Sequence, residues 1–428
     1  MKTIEPKILK GTRDFLPLDM IKRNIAMDKI KSIFDRCGYN AISTPIICPA
    51  ETILGKYGDE GERLTYSFED NGGRHIALPY DLTVPLARFV ASNWSELPMP
   101  FKRYQIQRVW RAEKPQKGRL REFYQCDIDI VGSKSLICEA EIARVIIEVF
   151  KSLDVKDFKI KVNSRRLINA VLDMFNVPQK KHIDVIRSVD KLEKIGEQAV
   201  EKEIEALEVK DADKMLALLK PAESNKETLE KLEQYDTEEI KTFLKYSNEL
   251  SVSEKYLQFD PSLARGLDYY TGIIYEVVSK QADFGTICAG GRYDDLCSLF
   301  GAKDLSGVGV SFGFERIMIL LEEMGIFKNT RLNSQVLVTL FDENSTDDAL
   351  NIYSDLLDKG INSEIYFEPA KLAKQLKYAD KKKIQFVVIS GSQERESNTI
   401  TIKTMESGKQ KTIPRKQLTS YLSGFEKK

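Results

Sequence analysis

The chain has few of the residues that build metal centres and disulfide frameworks. It contains 2 histidines, His75 and His182, and 6 cysteines. No two cysteines stand in a CxxC pair, so the sequence predicts neither a structural zinc site nor a disulfide framework. We therefore expect no metal-ligating residues. The cysteines are Cys37, Cys48, Cys126, Cys138, Cys288 and Cys297.

Long apolar runs are lacking as well. No segment reaches the roughly 18 apolar residues that a membrane helix requires. The opening MKTIEPKILKG also lacks the apolar stretch of a secretory signal. Two common phosphate-binding motifs, GxGxxG and GxxxxGK(S/T), do not occur, which removes the usual Rossmann and P-loop interpretations. We predict a cytoplasmic protein with no membrane partner.

No charge of one sign dominates the chain. Its 65 Lys and Arg residues balance 65 Asp and Glu residues, so any nucleic-acid contact must come from local basic patches. A chain of 428 residues that is 42% apolar can bury a large core. Two or three domains are expected from that length.

A basic hairpin is predicted between residues 101 and 132. The segments Phe101–Arg111 and Glu122–Val131 flank Lys114–Leu120, a loop that holds a proline and a glycine. Composition alone leaves a solvated basic hairpin about as plausible as a ligand site. Its cations are nevertheless numerous enough to favour an anionic partner such as phosphate: Arg103, Arg108, Arg111, Lys114, Lys117, Arg119 and Arg121.

Amide and carboxylate side chains alternate on the second strand of this hairpin. Gln125, Asp127 and Asp129 are spaced by two residues, so a regular strand places them on one face. We expect Arg111 on the same face, and Asp127 near the site without an assigned role. A surface with both carboxylates and guanidinium groups suits a small ligand that has ammonium and phosphate ends.

Other elements follow from hydrophobic periodicity and turn residues. An amphipathic helix is predicted over Asp19–Cys37, a strand interrupted by proline over Tyr39–Cys48, and a glycine-turn hairpin over residues 66–78. A helix should begin near Pro85, and capping is the default role for Thr83. The Gly290-Gly291 pair fits either a turn or a close approach of the backbone to a ligand.

Changes in composition and residue pattern along the chain predict its domains. Residues 165–258 are highly charged and read as a helical insertion. The polar stretch Asn329–Ser334 is a candidate linker, and the alternation of strands and helices after it predicts an α/β unit. The expected architecture is an α+β domain over 1–330, with an antiparallel sheet and flanking helices, followed by an α/β domain over 335–428.

Several motifs together resemble the histidyl-tRNA synthetase family of class II aminoacyl-tRNA synthetases. KGTRDFLP resembles the opening of that family, and residues 19–49 resemble the class II dimer-interface motif. WRAEKPQKGRLREFYQCDIDIVG and GVGVSFGFERI resemble the second and third class motifs. ARGLDYYTGIIYEV and AGGRYDDL resemble the two peptides specific to the histidine enzymes. The resemblance covers nearly the whole chain.

The resemblance implies an ATP-dependent ligase. Such an enzyme activates histidine to histidyl-adenylate with release of pyrophosphate, then transfers histidine to the 3′ end of tRNA(His). ATP is a substrate, Mg²⁺ accompanies it, and a homodimer is expected. The α/β domain is implied to bind the anticodon.

The resemblance also implies roles for individual residues. Arg111 and Arg265 are expected to be the catalytic cations at the α-phosphate, and Lys114 and Gln116 to approach the tRNA acceptor end. The ATP-binding set comprises Arg111, Glu113, Phe123 and Arg316. The histidine-binding set comprises Asp81, Leu82, Thr83, Arg111, Gln125, Asp129, Arg265, Tyr269 and Tyr270.

Two other functions share these motifs. A synthetase-like regulatory subunit of histidine biosynthesis binds histidine without charging tRNA, but it lacks the C-terminal domain and loses signature arginines that are present here. A synthetase-like sensor of uncharged tRNA lies beside a kinase domain in a longer chain, and this sequence has no kinase motif. The active ligase is therefore the preferred interpretation.

Arg265 gives the first testable prediction. A transition-state cation in a site that excludes water contributes about 2.7–4 kcal/mol, so Arg265→Ala should slow single-turnover adenylate formation by roughly 10²–10³ with little change in substrate binding. Arg265→Lys keeps the charge but loses the planar fork, so it should recover part of the rate. The alternative, a surface pair with Asp268, would contribute about 0–1 kcal/mol of stability. Normal rates in both variants would exclude the catalytic role.

Overall fold

The computed structural model describes residues 3–264, 269–281 and 285–424. The chain divides into two compact units. One comprises Met1–Asp14 and Ile25–Ile326, and the other comprises Phe15–Asn24 and Phe327–Lys428. The predicted linker at Asn329–Ser334 lies just after the start of the second unit's long segment. The sequence pattern does not predict that Phe15–Asn24 belongs to that unit.

A large sheet forms the centre of the first unit. Its strands run in the order β1-β5-β6-β11-β10-β9-β7-β8 and are antiparallel except for the β1–β5 and β7–β8 pairs. A small antiparallel sheet has the order β2-β4-β3. The strands are β1 (Asn40–Ala41), β2 (Cys48–Pro49), β3 (Ser67–Glu69), β4 (His75–Ala77), β5 (Phe101–Trp110), β6 (Glu122–Val131), β7 (Lys159–Ser164), β8 (Leu257–Phe259), β9 (Ile273–Val278), β10 (Cys288–Tyr293) and β11 (Gly307–Gly313).

Helices flank this sheet and form the insertion. Seven of those in the described chain, α6 to α12, lie between β7 and β8, which confirms the predicted helical insertion. The helices up to residue 326 are α1 (Pro17–Arg36), α2 (Ala50–Ile53), α3 (Gly58–Leu64), α4 (Thr83–Asn93), α5 (Ile137–Ser152), α6 (Arg165–Met174), α7 (Gln179–Val189), α8 (Leu192–Ile195), α9 (Glu197–Ala206), α10 (Ala212–Leu219), α11 (Asn225–Lys231), α12 (Glu238–Glu249) and α13 (Phe314–Glu323).

Aromatic side chains cover one face of the large sheet. Phe312 of β11 is fully buried, and its ring lies 5.6 Å from Phe34 of α1 and 6.0 Å from Phe150 of α5. Because side chains alternate along a strand, the neighbours Ser311 and Gly313 point to the opposite face. One face of the sheet is therefore core, and the other is free to form a site.

The β5–β6 hairpin confirms the predicted hairpin at 101–132, and the small β3–β4 hairpin confirms the one at 66–78. The strand predicted over Tyr39–Cys48, interrupted by proline, forms only in part, and β1 lies at the edge of the large sheet. Only β1 and β2 form at its ends, and the residues between them are held by side chains of β5. Gln105 Nε2 donates to Thr44 Oγ1 at 2.9 Å, and Gln107 Nε2 donates to the Thr44 carbonyl at 3.0 Å. Pro45 removes one ladder donor from this stretch.

The second unit has its own five-stranded sheet in the order β13-β12-β14-β15-β16. Helices alternate with its strands, as the sequence predicts. They are α14 (Thr346–Asp358), α15 (Leu372–Lys381), α16 (Ser392–Glu396) and α17 (Leu418–Ser423). The strands are β12 (Val336–Val338), β13 (Ser363–Ile365), β14 (Phe386–Ile389), β15 (Thr399–Thr404) and β16 (Gln410–Pro414). In the part of the chain that the structure describes, no helix is long and apolar enough to cross a membrane.

Close packing at Gly309 of β11 gives a stability prediction. A Cβ atom there would lie 2.0 Å from Asp129 Oδ1 and 2.6 Å from the Ile128 carbonyl oxygen. Gly309→Ala should therefore lower the free energy of unfolding by about 1–3 kcal/mol or more, because the backbone neighbour cannot move freely. Gly72→Ala, in an exposed turn, is the control and should change stability by about 0.5 kcal/mol at most. Urea unfolding measures both, and equal stability of the two variants would contradict the packing argument.

Candidate active site

A cavity of about 400 Å³ lies against the free face of the large sheet. This volume is within the range of small-molecule sites. Most of the residues predicted from the sequence line it: Asp81, Thr83, Arg111, Glu113, Phe123, Gln125, Asp129, Tyr269, Tyr270 and Arg316. The tertiary structure thus brings together residues from four separate stretches of the chain.

The remaining predicted residues are placed differently. Leu82 is fully buried and is not part of the cavity wall, so the structure does not support a side-chain contact from it. Lys114 and Gln116 are exposed on the hairpin loop, away from the wall. Arg265 lies outside the described residues.

Strand register explains the floor of the cavity. On β6, Gln125, Asp127 and Asp129 all contribute to the wall, so the prediction that they share one face is confirmed. Across the sheet, Asp127 pairs with Ser311 of β11, and Ser311 pairs with Ala289 of β10. Directly opposite residues on neighbouring strands project from the same face. The floor therefore spans three strands, with polar side chains on β6 and β11 and Ala289 on β10.

Asp129 is held by partners on three neighbouring strands. Arg103 of β5 is directly opposite in the ladder, and its Nη2 lies 2.6 Å from Asp129 Oδ2. The Tyr293 hydroxyl of β10 donates to Oδ1 at 2.7 Å. Gly309 of β11 leaves the space that the carboxylate occupies. Burial raises the pKa of Asp129, while Arg103 and the Tyr293 hydrogen bond lower it.

Asp81 lies at the start of α4 and faces the cavity from the opposite side. Its Oδ1 accepts hydrogen bonds from the backbone N–H groups of Thr83 at 3.2 Å and Val84 at 3.1 Å. Asp81 therefore caps the helix, and the default prediction that Thr83 does so is wrong. The Tyr57 hydroxyl donates to Asp81 Oδ1 at 2.7 Å, and the Tyr269 hydroxyl donates to Oδ2 at 3.2 Å.

Two tyrosines close the side of the cavity between these carboxylates. The rings of Tyr269 and Tyr270 pack edge to face, with centroids 5.0 Å apart. Burial and the nearby Asp81 carboxylate raise the pKa of both phenols above the usual range. Both hydroxyls therefore stay protonated near neutral pH and can donate hydrogen bonds.

Cationic and aromatic groups form the other end of the cavity. Arg111 Nε donates to the Tyr80 carbonyl at 3.0 Å, and its guanidinium lies 4.3 Å from the Tyr80 ring centroid and 5.2 Å from that of Phe123. These contacts fix the planar group at the wall. Glu113 accepts from Arg119 at 3.5 Å within the hairpin loop. Arg316 at the start of α13 donates to backbone carbonyls of Gly118 and Thr286.

Many of the hairpin cations are already paired with carboxylates of the chain. The general expectation of an external anionic partner is therefore too broad, and Arg111 is the hairpin cation best placed for one. The observed pairs are Arg103–Asp129, Arg108–Glu122, Lys117–Glu323 and Arg119–Glu113.

The AGGRYDDL peptide is largely structural. Arg292 Nη2 donates to the buried Glu139 of α5 at 2.7 Å, and Nη1 donates to the Ser133 carbonyl at 2.9 Å. The Gly290-Gly291 pair lies inside β10 and not in a turn. Glycine is needed at both positions, because a Cβ atom would collide with β11 at Gly290 and with β9 at Gly291. Ala289, Gly290 and Tyr293 are the members that line the cavity. Sequence reasoning missed Tyr293, Tyr57 and the burial of Arg103, since no local pattern marks these long-range contacts.

The possible metal ligands of the described chain lie apart from one another. Within residues 3–264, 269–281 and 285–424, no three His, Cys, Asp or Glu side chains are grouped so as to hold a metal ion. His182 is buried, with Nε2 at 3.0 Å from the Val177 carbonyl, and His75 is exposed. All six cysteines are free thiols.

Comparisons with known proteins identify the family of the chain. The family model of histidyl-tRNA synthetase matches residues 11–317, and that of the anticodon binding domain matches residues 335–424. A histidine–tRNA ligase of Christiangramia forsetii is 39% identical, with 96% of this chain and 97% of that protein covered. One from Helicobacter pylori J99 is 38% identical, with 95% of each chain covered.

A solved structure supports the same relationship. The histidyl-tRNA synthetase of Nostoc sp. PCC 7120 superposes with a TM-score of 0.86 at 30% identity, with 98% of this chain and 99% of that chain covered. The large, mostly antiparallel sheet, its arginine-bearing β5–β6 hairpin and the cavity on its free face define a class II aminoacyl-tRNA synthetase. Within that class, the chain belongs to the histidyl-tRNA synthetase family.

The buried Arg103–Asp129 pair gives a prediction for this site. Arg103→Met leaves a buried carboxylate without its cation and should lower the free energy of unfolding by about 3–5 kcal/mol. Adding Asp129→Asn should recover part of that loss. Arg108→Met is the control, because Arg108 is half exposed in its pair with Glu122, and it should cost about 1 kcal/mol or less. Chemical denaturation measures all variants, and equal losses at Arg103 and Arg108 would contradict the assignment.

Proposed function

We propose that this protein is a histidine–tRNA ligase, which forms histidyl-adenylate from histidine and ATP and then charges tRNA(His). The observation that carries the proposal is a single cavity with buried carboxylates at one end and Arg111 with aromatic rings at the other. These ends complement the amino group of an amino acid and the phosphate of a nucleotide. The family membership of the chain supplies the substrate class.

The carboxylate end is proposed to bind histidine. Asp81, Asp129 and Gln125 present acceptors to the ammonium group and to an imidazole N–H, and Tyr269 and Tyr270 form the walls. Hydrogen-bonding sites of this kind discriminate strongly, because an analogue that lacks the donor leaves buried acceptors unpaired. Discrimination of roughly 10⁴ or more is typical.

The cationic end is proposed to bind ATP. Phe123 and Arg316 flank the adenine ring, Glu113 meets its exocyclic amine, and Arg111 contacts the α-phosphate together with Arg265. The histidine carboxylate oxygen attacks the α-phosphorus and forms a new P–O bond as pyrophosphate leaves. The protein accelerates this step by positioning the reactants and by neutralising charge on the α-phosphate, without a covalent enzyme intermediate.

Mg²⁺ is proposed to enter with ATP. Its chemistry is to screen the charges of the β- and γ-phosphates. The cavity wall also contains Glu276 and Glu315, whose oxygens are ligands of the type that Mg²⁺ takes. Most of its ligands would be phosphate oxygens and water, since the described residues group no three possible protein ligands.

The second unit is proposed to bind the anticodon of tRNA(His), and the exposed Lys114 and Gln116 to approach the acceptor end. A homodimer is proposed as well. It is supported by exposed apolar side chains in and near the segment that resembles the interface motif, namely Ile46, Ile47 and Phe68. We further propose a cytoplasmic location, where tRNA charging supplies translation.

The roles of the two units can be separated experimentally. A chain that ends at residue 330 should keep histidine-dependent exchange of pyrophosphate into ATP, because the cavity lies within the first unit. Aminoacylation of tRNA(His) should collapse, because the proposed anticodon contacts are removed. Circular dichroism and sedimentation confirm that the shortened chain is folded and has the full-length oligomeric state.

Two outcomes would contradict these proposals. Loss of exchange in a folded shortened chain would contradict the division of roles. Absence of histidine-dependent exchange in the full-length protein would contradict ligase function. Histidine binding without exchange would instead favour a regulatory subunit.

A further inference from the structure

A third carboxylate faces the histidine end of the cavity, and the family motifs give it no role. Asp127 lies between Gln125 and Asp129 on the floor formed by β6, and its side chain is buried. Burial without compensation is costly for a carboxylate, so the number of its hydrogen-bond partners is informative.

The other two carboxylates of this end are well supplied with donors. Asp81 accepts from two tyrosine hydroxyls and two backbone N–H groups. Asp129 has the Tyr293 hydroxyl on one oxygen and the Arg103 guanidinium on the other. Protein groups therefore fix the orientation of both carboxylates before any ligand arrives.

Asp127 is supplied less well. Among the described residues, its donors are Gln125 Nε2, at the long distance of 3.4 Å, and the Ser311 hydroxyl. An ionised carboxylate has about four acceptor positions. In the same described part of the chain, the buried Gln125 Oε1 has no hydrogen-bond partner. Two adjacent acceptors on the cavity floor therefore have capacity for donors that a ligand would supply.

Charge at this end favours a ligand with N–H groups. Asp81, Asp127 and Asp129 are all buried, and Arg103 is the buried cation beside them. Burial, Asp129 and Asp81 raise the pKa of Asp127, Arg103 and Ser311 lower it, and the result is about 7. Among the described residues, the other groups that face Asp127 are uncharged near neutral pH: Gln105 on β5, Cys288 on β10 and Tyr270.

We propose that ionised Asp127 is a specificity-determining residue that accepts a hydrogen bond from an N–H group of the histidine substrate. Ser311 and Arg103 are positioning residues that favour its ionised form. This inference rests on the proposed function, because it adds a contact to the same histidine subsite.

Asp127→Asn tests the proposal in the full-length protein. The amide keeps the shape but presents N–H donors or a weaker acceptor to the substrate, so the KM for histidine in pyrophosphate exchange should rise about 10- to 100-fold. The KM for ATP should change by no more than about twofold. A similar rise in both constants would overturn the assignment to the histidine subsite.

The pH profile of kcat/KM for histidine provides a second readout. As pH falls, Asp127 gains a proton near pH 7, and the imidazole of free histidine gains one near its ordinary pKa of about 6.5. The first protonation removes the ionised form of Asp127, and the second removes the neutral imidazole of the substrate. In the unmodified enzyme, the fall of log(kcat/KM) with decreasing pH should therefore approach the slope expected for two protons. In Asp127→Asn, this slope should decrease to that expected for one proton. An unchanged slope would overturn the proposal.

Matched variants guard against general effects. Asp294→Asn removes a carboxylate outside this cavity, which accepts hydrogen bonds from the Thr271 and Ser306 hydroxyls. This variant should leave the KM for histidine unchanged. An equal rise in both variants would overturn the specific role of Asp127.

If Asp127→Asn does not fold, Ser311→Ala provides the test, because loss of that hydroxyl should raise the Asp127 pKa and move the acid limb of the pH profile to higher pH. A limb that does not move would overturn the proposal. Absence of histidine-dependent exchange in the unmodified protein would instead contradict the proposed function itself.

Discussion

The pairing of Arg103 with Asp129 is the interaction on which the carboxylate end of the cavity depends. A carboxylate can remain ionised away from water only if cations and hydrogen bonds compensate its lost hydration. Arg103 is fully buried beside Asp129 on the same face of the sheet, so its charge is not screened by solvent. The direct ladder pairing of the two residues places both side chains on the same face of the sheet, within reach of each other.

The large sheet separates this polar site from the apolar core. Along β11, Phe312 packs among the rings of Phe34 and Phe150, while Ser311 and Gly313 face the cavity. Glycine at 307 and 309 leaves room for the Tyr293 ring and the Asp129 carboxylate. A single strand therefore provides both the hydrophobic packing that holds the sheet in place and the space into which polar side chains of β6 and β10 extend.

Some motif residues line the cavity directly, and others stabilise the strands and helices around it. Arg111 reaches the cavity directly, whereas Arg292 joins β10 to α5 through Glu139 and does not contribute to the cavity wall. Asp81 has two functions at once, since it caps α4 and presents a carboxylate to the cavity. The backbone N–H groups that satisfy Asp81 also fix its orientation. Support of this kind keeps a binding group in place before its ligand arrives.

The sequence by itself determined the local features of this protein. Two apolar-containing segments around a loop with Pro115 and Gly118 predicted the β5–β6 hairpin. Period-2 alternation predicted the common face of Gln125, Asp127 and Asp129, because side-chain direction in a strand depends on position alone. The motifs indicated the family, and the change in texture after residue 164 indicated the helical insertion. Each of these signals lies within a continuous stretch of chain.

Only the tertiary structure decided which groups meet and which charges are buried. From the sequence, Arg103 was one of the hairpin cations predicted to favour an external anionic partner. In the structure, strand pairing buries Arg103 against Asp129. The sequence pattern assigned the capping of α4 to Thr83, but in the structure Asp81 caps this helix. It also predicted a strand interrupted by proline over Tyr39–Cys48, where side chains of β5 hold an irregular segment between two short strands. Contacts of Tyr57 with Asp81 and of Tyr293 with Asp129 join residues 24 and 164 positions apart. Such contacts depend on how the strands and loops pack, and no local pattern of residues encodes that packing.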